Sequence, residues 1–254
     1  DGPRLPILAV KESTYENEYM TDKLTSHAIQ FMNKQSNATP FFLYLGYNAV
    51  HNPWQAEKKY YDRLSNIKDE YMRVQASLIA CADENIGILL NYLENRKLID
   101  NTIIVFVSDN GPAKGGPELK TWEGYDPSFE YVFGQMKTLR GHKVDLYEGG
   151  IRTPMIIAYK PLLREGKVFR DMISTLDFYP TICEMTGSEI PEGTTLDGVS
   201  LVRYLREETK QQPHDMLFWC RNNFGAARMG VWKLFAPRSL AALMVLSSIF
   251  ASTL

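Results

Sequence analysis

Apolar positions along this chain recur with two different periods. Leu24, Ala28 and Phe31 fall at spacings of four and three, which places them on one face of a helix that Thr21 can cap and that ends near Ser36. Residues 40–47, PFFLYLGY, are apolar on both alternations, which predicts a central strand covered on both faces; they lead straight into NAVHNPW. Over residues 70–96 the helical period returns, with Val74, Leu78, Cys81 and Ile88 on one stripe that Leu89 and Tyr92 widen. Residues 101–107, NTIIVFV, form the next predicted strand. Strand, helix, strand, with a crossover long enough to be a helix, predicts parallel pairing in an α/β sheet. Ligands of such sheets gather at the carboxyl ends of the strands.

Further along, residues 111–141 carry glycines, prolines and aromatics without a sustained period, the mark of a long functional loop. In YEGGIRTPMIIAY, Pro154 opens a strand; in STLDFYPTICEMTG, Asp177 caps a short helix closed by Gly187. From 216 to 235 the pattern turns to short strand-like pieces, MLFWC, AARMG and VWKLF, which predict a small antiparallel sheet. Residues 239–254 are an uncharged apolar stretch of 16, shorter than the roughly 20 needed to cross a bilayer, so no stable membrane span is expected.

Composition narrows the classes. With 254 residues, 44% of them hydrophobic, the chain can bury one large core, with room for a small appendage. A formal net charge of -2, from 28 basic and 30 acidic residues spread along the chain, offers no basic stripe, and no nucleic-acid partner is expected. Cys81, Cys183 and Cys220 lie far apart, so neither a zinc site nor a disulfide framework can be read from them. Asn37-Ala38-Thr39 matches the N-glycosylation sequon. The opening DGPRLPILAV shows no signal peptide and is expected to begin within a longer protein.

Three places can carry chemistry. Asp109 and Asn110, at the end of the strand 101–107, offer the carboxylate and amide oxygens that hard divalent cations prefer; Ser108, Asp109, Asn110 and Gly111 are equally the residues of a plain tight turn. His51, after the strand 40–47, suits oxyanion binding or protonation of a leaving group, or else packs beside Pro53 and Trp54 as a loop residue. Lys143, with Arg140, His142 and Arg152 nearby and Gly149 and Gly150 permitting close backbone approach, suits a tetrahedral oxyanion, or forms a solvated mixed-charge face. His27 and His214 read as structural or solvent-facing.

Taken together, PFFLYLGYNAVHNPW, NTIIVFVSDNG, GHKVDLYEGGIRTPM, STLDFYPTICEMTG, LDGVSL and RMGVWKLF occur in an order that resembles the type I sulfatases. These are the formylglycine-dependent arylsulfatases of the alkaline-phosphatase-like superfamily, and the resemblance covers about residues 19–235. It implies an α/β fold with a mostly parallel, mixed central sheet flanked by helices. Residues 1–190 would be the carboxyl-side part of the catalytic domain, 191–235 the start of a small C-terminal subdomain with an antiparallel sheet, and 236–254 an atypical tail.

The function it implies is sulfuric ester hydrolysis with a calcium ion and a formylglycine nucleophile. Carried over by motif, Asp109 and Asn110 would ligate Ca2+, Lys143 would bind the sulfate group, and His51 would contact the ester and protonate the leaving alcohol. Arg152 would be structural. An aryl or carbohydrate sulfate is the implied substrate, the formylglycine-generating enzyme an implied partner, and a secreted, lysosomal or periplasmic location the implied setting. The C-x-P/A-x-R segment whose cysteine becomes formylglycine is missing from these residues, as are an upstream aspartate pair and a GKWHLG-like stretch. Cys81, Cys183 and Cys220 sit in other contexts, so this chain alone is expected to be inactive. A phosphodiesterase or phosphonate hydrolase of the same superfamily, and a non-catalytic binding remnant, are the alternatives.

Overall fold

The structure, a computed structural model, describes residues 8–11, 19–36, 38–114 and 138–237. The 111–141 loop beyond residue 114, Asn37 and the stretch 239–254 therefore fall wholly or mostly outside the described residues. The chain divides into two compact units, residues 1–102 with 113–135, and residues 103–112 with 136–254.

In the first unit, β1 (Leu8–Lys11) pairs in parallel with β2 (Trp54–Glu57), and α1 (Met20–Asn33), α2 (Lys58–Arg63) and α3 (Glu70–Asn95) pack around them. α3 starts where Asp69 accepts the Met72 amide at 2.7 Å, satisfying a donor that the helix itself leaves unpaired. Its buried stripe joins Tyr71, Val74 and Leu78 to Trp54 and Ala56 in the core. Val74 and Leu78 each contribute about 1.5–3 kcal/mol by leaving water.

Two expectations need correction here. Ile88 is exposed and Asn85 is buried in its stead, because the Asn85 amide donates to Asp22 Oδ1 at 2.6 Å and to the Cys81 carbonyl at 3.0 Å. A polar residue is buried where its hydrogen bonds are made, and the apolar period does not report that. On α1, Thr21 is no cap: Tyr19 holds that position, and Thr21, Thr25, Ala28 and Met32 form the buried stripe while Phe31 is exposed.

Residues 40–47 form no strand ladder among the described residues. Instead of two covered faces they show one half-buried and one open side, with Phe42 76% and Tyr44 83% exposed. The run's composition meets the demand for burial on both faces, but composition does not supply the neighbours that would cover them. Nor does the next strand pair in parallel. β3 (Ile104–Val107) pairs antiparallel with β4 (Met155–Ala158), and a 3-10 turn over Ile99–Asn101 takes the beginning of the expected strand. A central parallel sheet is not formed among the described residues.

The second unit continues with α4 (Glu148–Ile151), α5 (Phe178–Thr186), α6 (Val202–Leu205) and the expected antiparallel sheet, β5 (Met216–Arg221), β6 (Phe224–Met229) and β7 (Trp232–Pro237), in that order. α5 ends at Gly187 in the left-handed conformation, as its sequence predicts. Its start is more elaborate than a cap. Asp177 is fully buried and accepts from the Ser174 amide at 2.7 Å, the Val199 amide at 2.9 Å and His214 Nε2 at 2.8 Å. His214, placed in a polar loop by sequence, is thus a structural residue. Asp177→Asn sets an amide donor against three donors, and a loss of about 3 kcal/mol in unfolding free energy is expected by urea denaturation.

Candidate functional site

β3 runs directly into Ser108, Asp109 and Asn110. The Asp109 carboxylate accepts its neighbour's amide through Oδ1 at 2.9 Å, and Asn110 Nδ2 donates to the Gly111 carbonyl at 2.9 Å. Ser108 Oγ donates to the Asn110 carbonyl at 3.0 Å. Asp109 is exposed and Asn110 half-buried, so this strand end presents a carboxylate and an amide oxygen together.

Lys143 is brought to the same place by glycines. The Lys143 amide donates to the Pro112 carbonyl at 2.6 Å, Gly111 donates to the Gly150 carbonyl at 2.9 Å, and Gly149 donates to the Arg140 carbonyl at 2.7 Å. The backbones touch so closely that a Cβ built on Gly111 would lie 1.7 Å from the Gly149 carbonyl oxygen. One on Gly149 would meet the Gly141 oxygen at 2.2 Å, and one on Gly150 the Asp145 oxygen at 2.3 Å. Segments 109–112, 140–145 and 148–151 therefore form one knot in which backbone packs on backbone. Asp145 closes it from within, accepting the His142 amide at 3.0 Å with His142 Nδ1 at 3.1 Å.

Of the residues singled out in the sequence, Asp109, Asn110 and Lys143 share this knot. Arg152 follows α4, its amide donating to the Glu148 carbonyl at 2.8 Å and its side chain exposed. His51 belongs to the first unit, is exposed, and has Nδ1 3.0 Å from the Asn52 carbonyl oxygen. The peptides Ala49-Val50 and Asn52-Pro53 beside it are cis.

Sequence reasoning missed the groups that grip the knot. Glu148 on α4 accepts from Arg228 of β6 at 2.6 Å and from Lys233 of β7 at 2.9 Å. One signal was available: the turn at Gly230 and Val231 registers Arg228 opposite Lys233, and two facing cations call for an anion.

It also missed a group of possible metal-binding side chains in the first unit. Asp22, Glu57 and Cys81 bring ligand atoms within 4.8 Å of one another. An internal cation already serves them. Lys59 Nζ lies 3.1 Å from Glu57 Oε2, an ion pair without hydrogen-bond alignment, and 3.5 Å from Asp22 Oδ2. Burial, with Asp22 beside it, pushes the Cys81 thiol up to about 11, far from the thiolate a metal needs. Burial also holds the Glu57 carboxyl above its usual range. A raised carboxyl penalises the fold above its folded pKa and ceases to as pH falls through it. Removing the ammonium by Lys59→Met sharpens that penalty. A loss of about 1–2 kcal/mol near pH 8, shrinking toward pH 5, is the expected result in melts across pH.

A protein-family model described as Sulfatase matches residues 5–188. The chain belongs to the sulfatase family. It is 33% identical over 207 residues to the uncharacterized sulfatase YdeN of Escherichia coli, a match covering 79% of this chain and 33% of that protein. It is 28% identical over 229 residues to human steryl-sulfatase, covering 87% and 36% respectively. Among solved structures, Ps i-CgsB in complex with k-i-k-neocarrahexaose superposes with a TM-score of 0.74 at 31% identity, covering 89% of this chain and 48% of that one. The phosphonate monoester hydrolase of Agrobacterium radiobacter, at a TM-score of 0.64 and 16% identity, covers 99% and 65% and shares the fold. This sulfatase-family chain thus spans about a third of the length of the curated relatives named here.

Proposed function

We propose that the protein carrying this chain is a sulfuric ester hydrolase, in which Asp109, Asn110 and Lys143 belong to the site that takes the sulfate monoester and the family motif gives His51 the role of proton donor. The observation that supports this reading best is the glycine knot. Within a chain of the sulfatase family, it joins the backbone of the Asp109-Asn110 strand end to that of Lys143, three of the four site positions that the family motifs match.

Each residue has a role set by its chemistry. The Lys143 ammonium pairs with a sulfate oxygen and offsets charge gathering there as the ester bond lengthens. The His51 imidazole supplies the proton that lets the alcohol leave as a neutral molecule. The oxygens of Asp109 and Asn110 fit a hard cation, and two such donors are part of the six to eight that calcium takes. Bound there, Ca2+ would offset charge on the sulfate oxygens. On this reading the remaining ligands would come from residues other than these 254, as would the nucleophile, a formylglycine that the formylglycine-generating enzyme would make from a cysteine. The domain division at 190 and 235, and a secreted, lysosomal or periplasmic location, go with the same reading. A sulfated carbohydrate is the favoured substrate class, since the structural neighbour at 31% identity is a complex with a neocarrahexaose.

The fold shared with a phosphonate monoester hydrolase supports a second reading. Assay of the full-length protein on nitrophenyl sulfate and on a nitrophenyl phosphonate separates the two. Sulfate is expected to be the better substrate by kcat/KM, and preference for the phosphonate would overturn the assignment. The 254 residues alone are expected to hydrolyse neither above a His51→Ala control.

A further inference from the structure

Arg228 and Lys233 stand directly opposite one another across β6 and β7, a relation in which like charges repel. The Glu148 carboxylate lies between them, one oxygen 2.6 Å from Arg228 Nη1 and the other 2.9 Å from Lys233 Nζ. All three side chains are largely withdrawn from solvent, so these charge-assisted bonds are screened less than a surface pair. The sheet and the knot are tied together at two further points. The Tyr147 ring packs on Phe235 of β7 at 4.4 Å, with the Arg140 guanidinium 4.0 Å from the same ring. Arg221 of β5 donates to the Val144 carbonyl.

Val144 is the informative one. It is β-branched, 54% exposed, and holds φ at 80°, a region such residues rarely enter. Such a backbone persists only where its surroundings over-determine it, and it collects at functional sites. Here it immediately follows Lys143. The residues tied to the sheet, Arg140 through Tyr147, Val144, Tyr147 and Glu148, bracket Lys143 on both sides.

The geometry points to the β5–β7 sheet as the platform that positions Lys143: Glu148, gripped by Arg228 and Lys233, and Arg221 on the Val144 carbonyl fix the backbone from which the lysine reaches its anion. This rests on the reading of Lys143 as the sulfate-binding residue. Glu148 and Arg221 are positioning residues that act through Lys143 without touching the substrate. The small sheet is then part of the anion site, although none of its side chains was matched to a sulfatase role by motif.

The test uses the full-length protein with Glu148→Gln, Glu148→Asp and Arg221→Met. Hydrogen exchange of the Lys143 amide is expected to quicken at least about tenfold in Glu148→Gln and Arg221→Met, while amides of α3 keep their protection. KM for nitrophenyl sulfate is expected to rise about tenfold to a hundredfold in Glu148→Gln, with kcat moving less and Glu148→Asp recovering part of the loss. Combining Glu148→Gln with Lys143→Ala is expected to be no worse than Lys143→Ala alone, since both act through one ammonium. Unchanged exchange at Lys143, or losses that multiply in the combined variant, would overturn the proposal. Arg221→Met alters an exposed side chain and keeps the test decisive if Glu148→Gln unfolds. Should the unsubstituted protein hydrolyse no sulfate ester, the sulfatase reading itself fails, and the Lys143 exchange rate still decides whether the sheet braces that loop.

Discussion

Gly111→Ala is expected to lower the unfolding free energy by more than about 3 kcal/mol, at the upper end of what overpacking costs. The reason is which atoms the new methyl would meet. A Cβ at this position would stand 1.7 Å from the Gly149 carbonyl oxygen and 2.8 Å from its carbonyl carbon. Those are backbone atoms, and Gly149 is itself pinned by its bond to the Arg140 carbonyl. No rotamer change can make room, so three segments must separate. Gly87→Ala provides the contrast: it lies mid-helix in α3 with nothing within 4 Å of the added carbon, and a gain of about 0.5–1 kcal/mol is expected. Urea denaturation of the two variants measures both, and equal effects would mean that the knot is looser than described.

The second large effect is on catalysis. In the full-length protein, Lys143→Ala is expected to reduce kcat/KM for nitrophenyl sulfate by about a hundredfold to a thousandfold, the usual cost of removing one preorganised charge partner from a developing anion. On the proposed role the ammonium contacts the sulfate before as well as during bond cleavage, so part of the loss is expected in KM. Lys143→Arg is expected to recover little: a broad planar guanidinium cannot take the place of a compact ammonium set by so tight a backbone. Melting temperatures of the variants, unchanged within a few degrees, separate lost chemistry from lost folding. A Lys143→Ala enzyme with undiminished kcat/KM would remove Lys143 from the site.

How much of this was legible in the sequence varies from element to element, for physical reasons. α3 was read to within a residue because a long run at one period leaves little freedom, although Ile88 was put on the stripe where Asn85 is buried by its hydrogen bonds. β5, β6 and β7 were legible as short β-rich runs separated by turn residues. α4 was not, since Glu-Gly-Gly-Ile carries two poor helix formers that are there for close approach to Gly141, His142 and Asp145. Residues 40–47 were read as doubly covered because burial on a face depends on neighbours that local pattern does not contain.

The site divides in the same way. Asp109 and Asn110 at a strand end, and Lys143 in a glycine-rich turn, were placed from local pattern, and the structure brings their backbones together. Gly111 was recognised as special, but for a sharp turn; the structure assigns its importance to contact with Gly149 and Gly150. The facing pair Arg228 and Lys233 was foreshadowed by the turn at Gly230 and Val231, but Glu148 as their anion was not, because some 80 residues separate partners whose meeting only the fold decides.

On the proposed function, the Asp109-Asn110 strand end is one side of a hard-cation site joined to Lys143, the residue assigned to the sulfate. Calorimetric titration of the full-length protein with calcium tests it most directly. Saturable binding that is abolished in Asp109→Ala and strongly weakened in Asn110→Ala is the expected result; binding of the same affinity and stoichiometry in all three proteins would contradict it.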